Sequence, residues 1–203
     1  MQLIPTPEEV IQLLRDTGAL RDGLFTYPSG LCSNQHLQMA LALRDFQHQK
    51  LLSVALSRLI RTNPEIRASI PELSIVAPAV AGLPVAYGVC EALRAKKVYW
   101  VERGQGKDEP LRFRQFLDQE PGEKVLLVDD VLRSGKNLAE MKQLCEENGA
   151  VVMGIATIIN QPNPESIDFG DLPRFYLAQL DSVYYGMREQ WPNVQPGQEP
   201  TRI

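Results

Sequence analysis

Lys124-Val-Leu-Leu-Val-Asp-Asp-Val-Leu-Arg-Ser-Gly-Lys-Asn-Leu138 runs from a basic residue through a short apolar stretch into two adjacent carboxylates. A polar turn with one glycine follows, and then a helical pattern. The apolar run is too short for a helix and reads as a buried strand of a parallel sheet. Asp129 and Asp130 therefore stand at its carboxyl end, where open α/β sheets bind ligands. The turn from Leu132 to Asn137 opens a helix, so free backbone N–H groups and the helix dipole can hold an anion there. Carboxylates that accept from hydroxyls, beside an anion cradle, suit a phosphorylated sugar. Adjacent acids at a strand end are costly to bury without such a task. A Walker loop does not fit, because Asp130 stands where its first glycine belongs and Asn137 where Ser or Thr should follow the lysine. A receiver domain does not fit either, since it carries its acids after the first strand and too little chain follows here.

Outward from this segment, strand-like and helix-like stretches alternate. Thr6-Pro7-Glu8-Glu9 caps a helix that runs to about Gly18. Gly23 to Gln38 reads as a hairpin around Pro28-Ser29-Gly30. A helix spans about Gln47 to Arg61 and stops at Asn63-Pro64. Strands are expected at Ser74–Val76, Lys97–Val101, Leu111–Phe116, Val151–Ile159 and Phe175–Leu180, and helices at Leu83–Ala95 and from the signature turn to Asn148. This order predicts an α/β fold, a parallel central sheet flanked by helices, with a small N-terminal hood. The expected division is a hood of helix plus hairpin over residues 1–45, an α/β core over 46–190 with a mobile loop near 103–115, and a tail over 191–203.

The 203 residues carry 44% hydrophobic side chains, enough for one core, and a net charge of −4 that argues against a nucleic-acid partner. No apolar run approaches the ~20 residues of a membrane span, and the first residues lack the pattern of a secretory signal. Cys32, Cys90 and Cys145 are widely spaced, and with only His36 and His48 available no metal-site spacing exists. They read as reduced thiols of a cytoplasmic protein, none of them a nucleophile. The two histidines are given no role.

The Asp129–Asn137 segment resembles the signature of type I phosphoribosyltransferases, V-D/E-D-V-x-T-T-G-x-S, which binds 5-phosphoribosyl-1-diphosphate (PRPP). Asp129, Asp130, Val131 and Gly135 match it and Ser134 is a mild variant. Arg133 and Asn137 stand where hydroxyl residues are usual. The nearest form is the orotate phosphoribosyltransferase family. Gly23-Leu-Phe-Thr-Tyr-Pro-Ser-Gly-Leu31 resembles its hood segment, and Ile75-Val-Ala-Pro-Ala-Val-Ala-Gly-Leu-Pro84 its diphosphate loop, with Ala81 in place of a glycine. Tyr99-Trp-Val-Glu-Arg103 and Leu111-Arg-Phe-Arg-Gln-Phe116 resemble the flanks of its basic loop.

The resemblance implies a PRPP-dependent transferase that joins a nitrogenous base to ribose 5-phosphate and releases diphosphate. It implies Ala79, Val80, Ala81 and Gly82 on the diphosphate, and Arg133, Ser134, Gly135, Lys136 and Asn137 around the 5′-phosphate. Asp129 and Asp130 fall on the ribose diol, Arg103 and Lys107 on the leaving group, and Phe25, Thr26 and Tyr27 beside the base. Arg112 and Arg114 belong to the same basic segment. Mg²⁺ is carried by PRPP with no direct protein ligand, and a homodimer is expected. The family's strand equivalent to Val151–Ile159 runs into V-D-R, whose arginine contacts the orotate carboxylate. Here Asn160-Gln161 follow instead, which predicts that orotate is a poor substrate. Two readings stay open: a catalyst, and a PRPP-binding regulatory or catalytically weakened paralogue.

Overall fold

In the computed structural model, which describes residues 4–27, 30–104, 109–114, 119–185 and 201–202, the signature strand β6 (Lys124–Leu132) lies at the centre of a six-stranded sheet. Its other strands are β3 (Ser74–Pro78), β4 (Lys97–Arg103), β5 (Leu111–Phe113), β7 (Val151–Asn160) and β8 (Arg174–Gln179). Their order is β5-β4-β3-β6-β7-β8, and all pairings are parallel except β4 with β5. Alternate residues of β6 feed two cores. Leu126 and Val128 join one with Leu52 and Leu56 of α3 (Phe46–Ile60) and Val85 and Val89 of α5 (Leu83–Leu93). Val125 and Leu127 join the other with Leu138 and Met141 of α6 (Lys136–Glu147). Helices thus cover both faces, as a parallel sheet requires.

The chain after β3 crosses through α5 to β4 on one side, and the chain after β6 crosses through α6 to β7 on the other. The order reverses between β3 and β6, and a crevice opens outside the carboxyl ends of strands at such a point.

A second sheet contains β1 (Leu20–Thr26) and β2 (Cys32–Leu37), flanked by β10 (Thr201–Arg202) and β9 (Tyr184–Tyr185). The expected hairpin is present and starts three residues early. Two other expectations need correction. Thr201–Arg202, assigned to a tail, pairs in parallel with Phe25 and Thr26, and Tyr184–Tyr185 pairs with Ser33 and Cys32, so residues 1–45 alone do not make this sheet. Nor is the N-terminal part a separate cap. Val10 and Leu14 of α1 (Pro7–Asp16) share a core with Leu177 and Ala178 of β8.

Two helices were missed. α2 (Ala40–Leu43) is a single turn. α4 (Pro64–Ser69) begins where a stop was expected, because Asn63 Oδ1 accepts from the N–H groups of Glu65 and Ile66 and Pro64 needs no donor at the first turn. No helix among the described residues is long and apolar enough to cross a membrane. Cys32 and Cys145 are buried, and burial pushes the Cys145 thiol to about 12, which leaves it unreactive.

The amino end of the sheet is fastened by Glu123, 8% exposed. Ser74 Oγ (2.5 Å), Tyr99 Oη (2.9 Å) and the Glu120 N–H (3.2 Å) donate to its carboxylate, and Lys97 Nζ lies 3.1 Å away. Burial pushes this carboxyl up, but the hydrogen bonds outweigh it and hold it below its ordinary range. The stabilisation is therefore present above the unfolded value, about 4.3, and lost as pH falls through the lower folded one. Glu123→Gln should cost about 2–3 kcal/mol in urea unfolding at pH 7. The gap from wild type should persist to pH 5 and close in stronger acid; a gap of the same size at every pH would contradict this account.

Candidate active site

Pairing of β3 with β6 ends at Val76 opposite Leu127, so the edge of β6 beside Asp129 is open. The loop after β3 occupies that side. A Cβ added to Gly82 would stand 2.7 Å from Pro78 Cδ and 3.1 Å from Asp129 Oδ1, so the loop after β3 closes on the carboxylate of β6 where only glycine fits. β6 itself continues past the acids, with Val131 and Leu132 paired to Ile159 and Asn160. Asp129, 8% exposed, accepts the Asp130 N–H at Oδ1 (2.8 Å). Burial, reinforced by the charge of Asp130, raises the Asp129 carboxyl well above its ordinary value. Burial raises Asp130 too, opposed by hydrogen bonds from Asp129 and the Val131 N–H and by the charge of Arg133.

Below the acids, Gly135 precedes α6 with φ +77°, and no side chain caps the helix. Its first internal bond runs from Ala139 N–H to the Gly135 carbonyl (2.8 Å), which leaves early N–H groups for an anion. Asp129, Val131, Arg133, Ser134, Gly135, Lys136, Asn137 and Leu138 line a cavity of about 280 Å³ there. The segment after β7 braces it: Ser166 Oγ donates to the Arg133 carbonyl (2.8 Å) and the Ile167 N–H to the Ser134 carbonyl (2.9 Å). A larger hollow of about 550 Å³, lined by Leu132, Asn160, Arg174 and Tyr176 among others, contains neither acid.

The residues assigned from sequence divide between this cavity and other surroundings. Ser134 and Gly135 form the cradle, but both cations expected on the phosphate are engaged elsewhere. Lys136 Nζ pairs with Glu165 (2.8 Å). Arg133 lies over the Tyr27 ring, 5.2 Å from its centroid, and donates Nε–H to Gln161 Oε1 (3.0 Å). Arg103 is held at the base of the β4–β5 connection by Glu140 (2.7 Å), which also accepts from the Leu111 N–H, and by Asn137 Oδ1 (3.2 Å). It would have to exchange these partners to reach a leaving group. Arg112 and Arg114 are exposed, and Lys107 lies outside the described residues. Of the loop after β3, Gly82 is buried while Val80 and Ala81 are exposed; the Ala79–Val80 peptide is cis. In the hood, Phe25 is buried against His36, ring centroids 5.3 Å apart, and Thr26 is paired within the sheet. Only Tyr27 of that trio meets a signature residue.

The partners of Gln161 had no signal in the sequence. Gln161, fully buried, donates Nε2–H to Ser182 Oγ (2.7 Å), and Ser182 donates on to Gln35 Oε1 (3.0 Å). Gln35 Nε2–H reaches Asp22 (2.9 Å), which is paired with Arg15. This chain ties the signature loop to the hood sheet. The departure from V-D-R at Gln161 marked the position; its partners are too distant in sequence to be found that way.

A family model described as a phosphoribosyl transferase domain matches residues 50–169. The orotate phosphoribosyltransferase of Desulforamulus reducens is 31% identical over 157 residues, 77% of this chain and 76% of that one. That of Carboxydothermus hydrogenoformans is 28% identical over 87% of each. Among solved structures, orotate phosphoribosyltransferase from Aeropyrum pernix superposes with a TM-score of 0.66 at 20% identity, covering 84% of this chain and 93% of that one. Adenine phosphoribosyltransferase from Thermoanaerobacter pseudethanolicus gives 0.59 at 14% identity, covering 72% and 88%.

Proposed function

Because the chain belongs to the phosphoribosyl transferase domain family, we propose that it is a PRPP-dependent phosphoribosyltransferase of the orotate type. The observation that carries the reading is the switch-point crevice, where Asp129 and Asp130 adjoin an uncapped helix start.

In this reading the 5′-phosphate rests on the N–H groups at the start of α6, and the ribose diol donates to the two carboxylates. The loop at residues 79–82 faces the diphosphate. A ring nitrogen of the base forms a bond to C1 as the C1–O bond breaks, and the diphosphate leaves with the electron pair. Asp129 and Asp130 stabilise the positive charge that develops on the ribose ring. Their raised pKa values carry a consequence: they become fully ionised only above the ordinary carboxylate range, so activity falls before that range is reached on acidification.

Among the described residues no three His, Cys, Asp or Glu side chains gather to hold a metal. That fits a Mg²⁺ ion that keeps its waters and is carried by the substrate phosphates rather than by a dedicated protein site. It would enter with PRPP, without a direct protein ligand, and when bound it would neutralise diphosphate charge. Exposed Phe46 and Tyr87 on adjoining α3 and α5 support a homodimer.

The test is calorimetric titration with Mg²⁺ and PRPP, followed by loss of orotate absorbance with both present. Saturable PRPP binding is expected, and the orotate assay decides between ready formation of orotidine 5′-phosphate and the poor use that Asn160-Gln161 predicts. Failure to bind PRPP would overturn the assignment.

A further inference from the structure

Arg133 is unlike the other cations near the crevice. Lys136 and Arg103 are ion-paired, whereas among the described residues Arg133 has no carboxylate partner and no acceptor for its two Nη groups. Its charge acts on Asp130, yet the two form no ion pair. Around it lie three polar atoms that are buried without a hydrogen bond: Tyr27 Oη, Tyr184 Oη and His36 Nδ1. They are three of the five such atoms among the described residues, and the Arg133 charge is felt at all three. Buried polar groups without partners are costly, and a cluster of them beside an unpaired guanidinium needs an occupant.

The occupant's chemistry follows from the lining. The free guanidinium edge is a fork that matches a carboxylate. The phenols of Tyr27 and Tyr184 each offer a donor or an acceptor to a polar ring edge, and His36 Nδ1 adds another polar position. The same arginine lines the cavity that contains Asp129, so a ligand on its Nη groups lies next to the ribose position. Its aim is fixed from behind, because Gln161, Ser182 and Gln35 form a continuous hydrogen-bonded chain into the hood.

Resting on the functional reading above, we infer that Arg133 is the specificity-determining residue for the base, and that it receives a carboxylate borne by a planar nitrogen heterocycle. The main chain of Arg133 belongs to the phosphate cradle while its side chain serves the base. The positive charge absent from Asn160-Gln161 is thereby supplied from the neighbouring strand's loop, with Gln161 as its support. On this inference orotate is a good substrate, contrary to the expectation drawn from Asn160-Gln161.

The experiment compares orotate with uracil, its analogue without the carboxylate, in wild type, Arg133→Thr, Arg133→Lys and the double variant Arg133→Thr/Gln161→Arg, with thermal melts as the folding control. Arg133→Thr should raise the orotate KM by about 10- to 150-fold and collapse the preference for orotate over uracil. Its Kd for Mg²⁺-PRPP, read by calorimetry, should change far less. Arg133→Lys should keep part of the preference, and moving the arginine to 161 should restore most of it. An unchanged orotate KM in folded Arg133→Thr, with normal PRPP binding, would overturn this inference alone. PRPP affinity lost in step with orotate would assign the guanidinium to phosphate and also overturn it. Wild-type protein that does not bind Mg²⁺-PRPP would overturn the functional reading and this inference with it.

Discussion

Replacing Asp129 and Asp130 together by asparagine should lower kcat/KM by about 10²- to 10⁴-fold and at the same time raise the melting temperature at pH 7. The first effect is the loss of two charge-assisted hydrogen bonds to the ribose, roughly 1.5–3 kcal/mol each, with the developing ring charge left unopposed. The second follows from the direction of the pKa shifts. Burial raises both carboxyls, so the folded state binds their protons more tightly than the unfolded chain does. Their favourable contribution is complete only below the unfolded value, about 3.9, and is lost as pH rises through the raised folded values. At neutral pH the pair is a net cost to folding. Asparagine removes that cost while keeping an oxygen for the Asp130 N–H now bound by Asp129. A gain of about 1–2 kcal/mol is expected, a few degrees for a chain of this size. Scanning calorimetry at pH 7 and at pH 4 should show the gain shrinking in acid. A double variant that melts below wild type, or turns over normally, contradicts the assignment.

Gly135→Ala should weaken PRPP binding by about 10- to 100-fold without removing any group that touches the ligand. A left-handed conformation costs a residue with a Cβ roughly 1–2 kcal/mol, and Gly135 has φ +77°. The added methyl would also stand 2.9 Å from Phe169 Cε2 and 3.1 Å from Cζ. Either the ring shifts or the cradle does, and the cradle is the part PRPP touches. Adding Phe169→Leu should recover the steric share and leave the conformational one, a coupling that a double-mutant cycle reads directly. If Gly135→Ala binds PRPP as wild type does, the anion does not sit on this turn.

The sheet, its flanking helices and the crevice were legible because each rests on local pattern. β6 is a continuous apolar run, the acids end it, and the glycine marks the turn. α4 was missed because Asn63-Pro64 is both a stop and a start, and sequence alone favours neither. Thr201–Arg202 was read as tail because a two-residue strand has no periodicity; its partner, not its own composition, makes it β. The base side of the crevice was least legible. Arg133 was assigned by its place in the signature, which fixes where its backbone lies and says nothing of where its long side chain points. Its direction is set by Gln161 and Tyr27, and Gln161 in turn by Ser182 and Gln35, residues separated by 147 positions.

The strands of the hood sheet come from residues 20–26, 32–37, 184–185 and 201–202, and this spacing has a kinetic meaning. The core strands are joined by short crossovers, while Val183 must close on Asn34 across 149 residues and Thr201 on Phe25. Contacts of such sequence separation return their loop-closure entropy only after the intervening chain is ordered. The α/β core should therefore condense first and the hood sheet zip up last, so that during refolding the phosphate cradle exists before the pocket for the base. Pulse-labelled hydrogen exchange would read this as early protection in β6 and β7 and late protection of the Asn34 and Val183 N–H groups, which bond across the two ends of the chain.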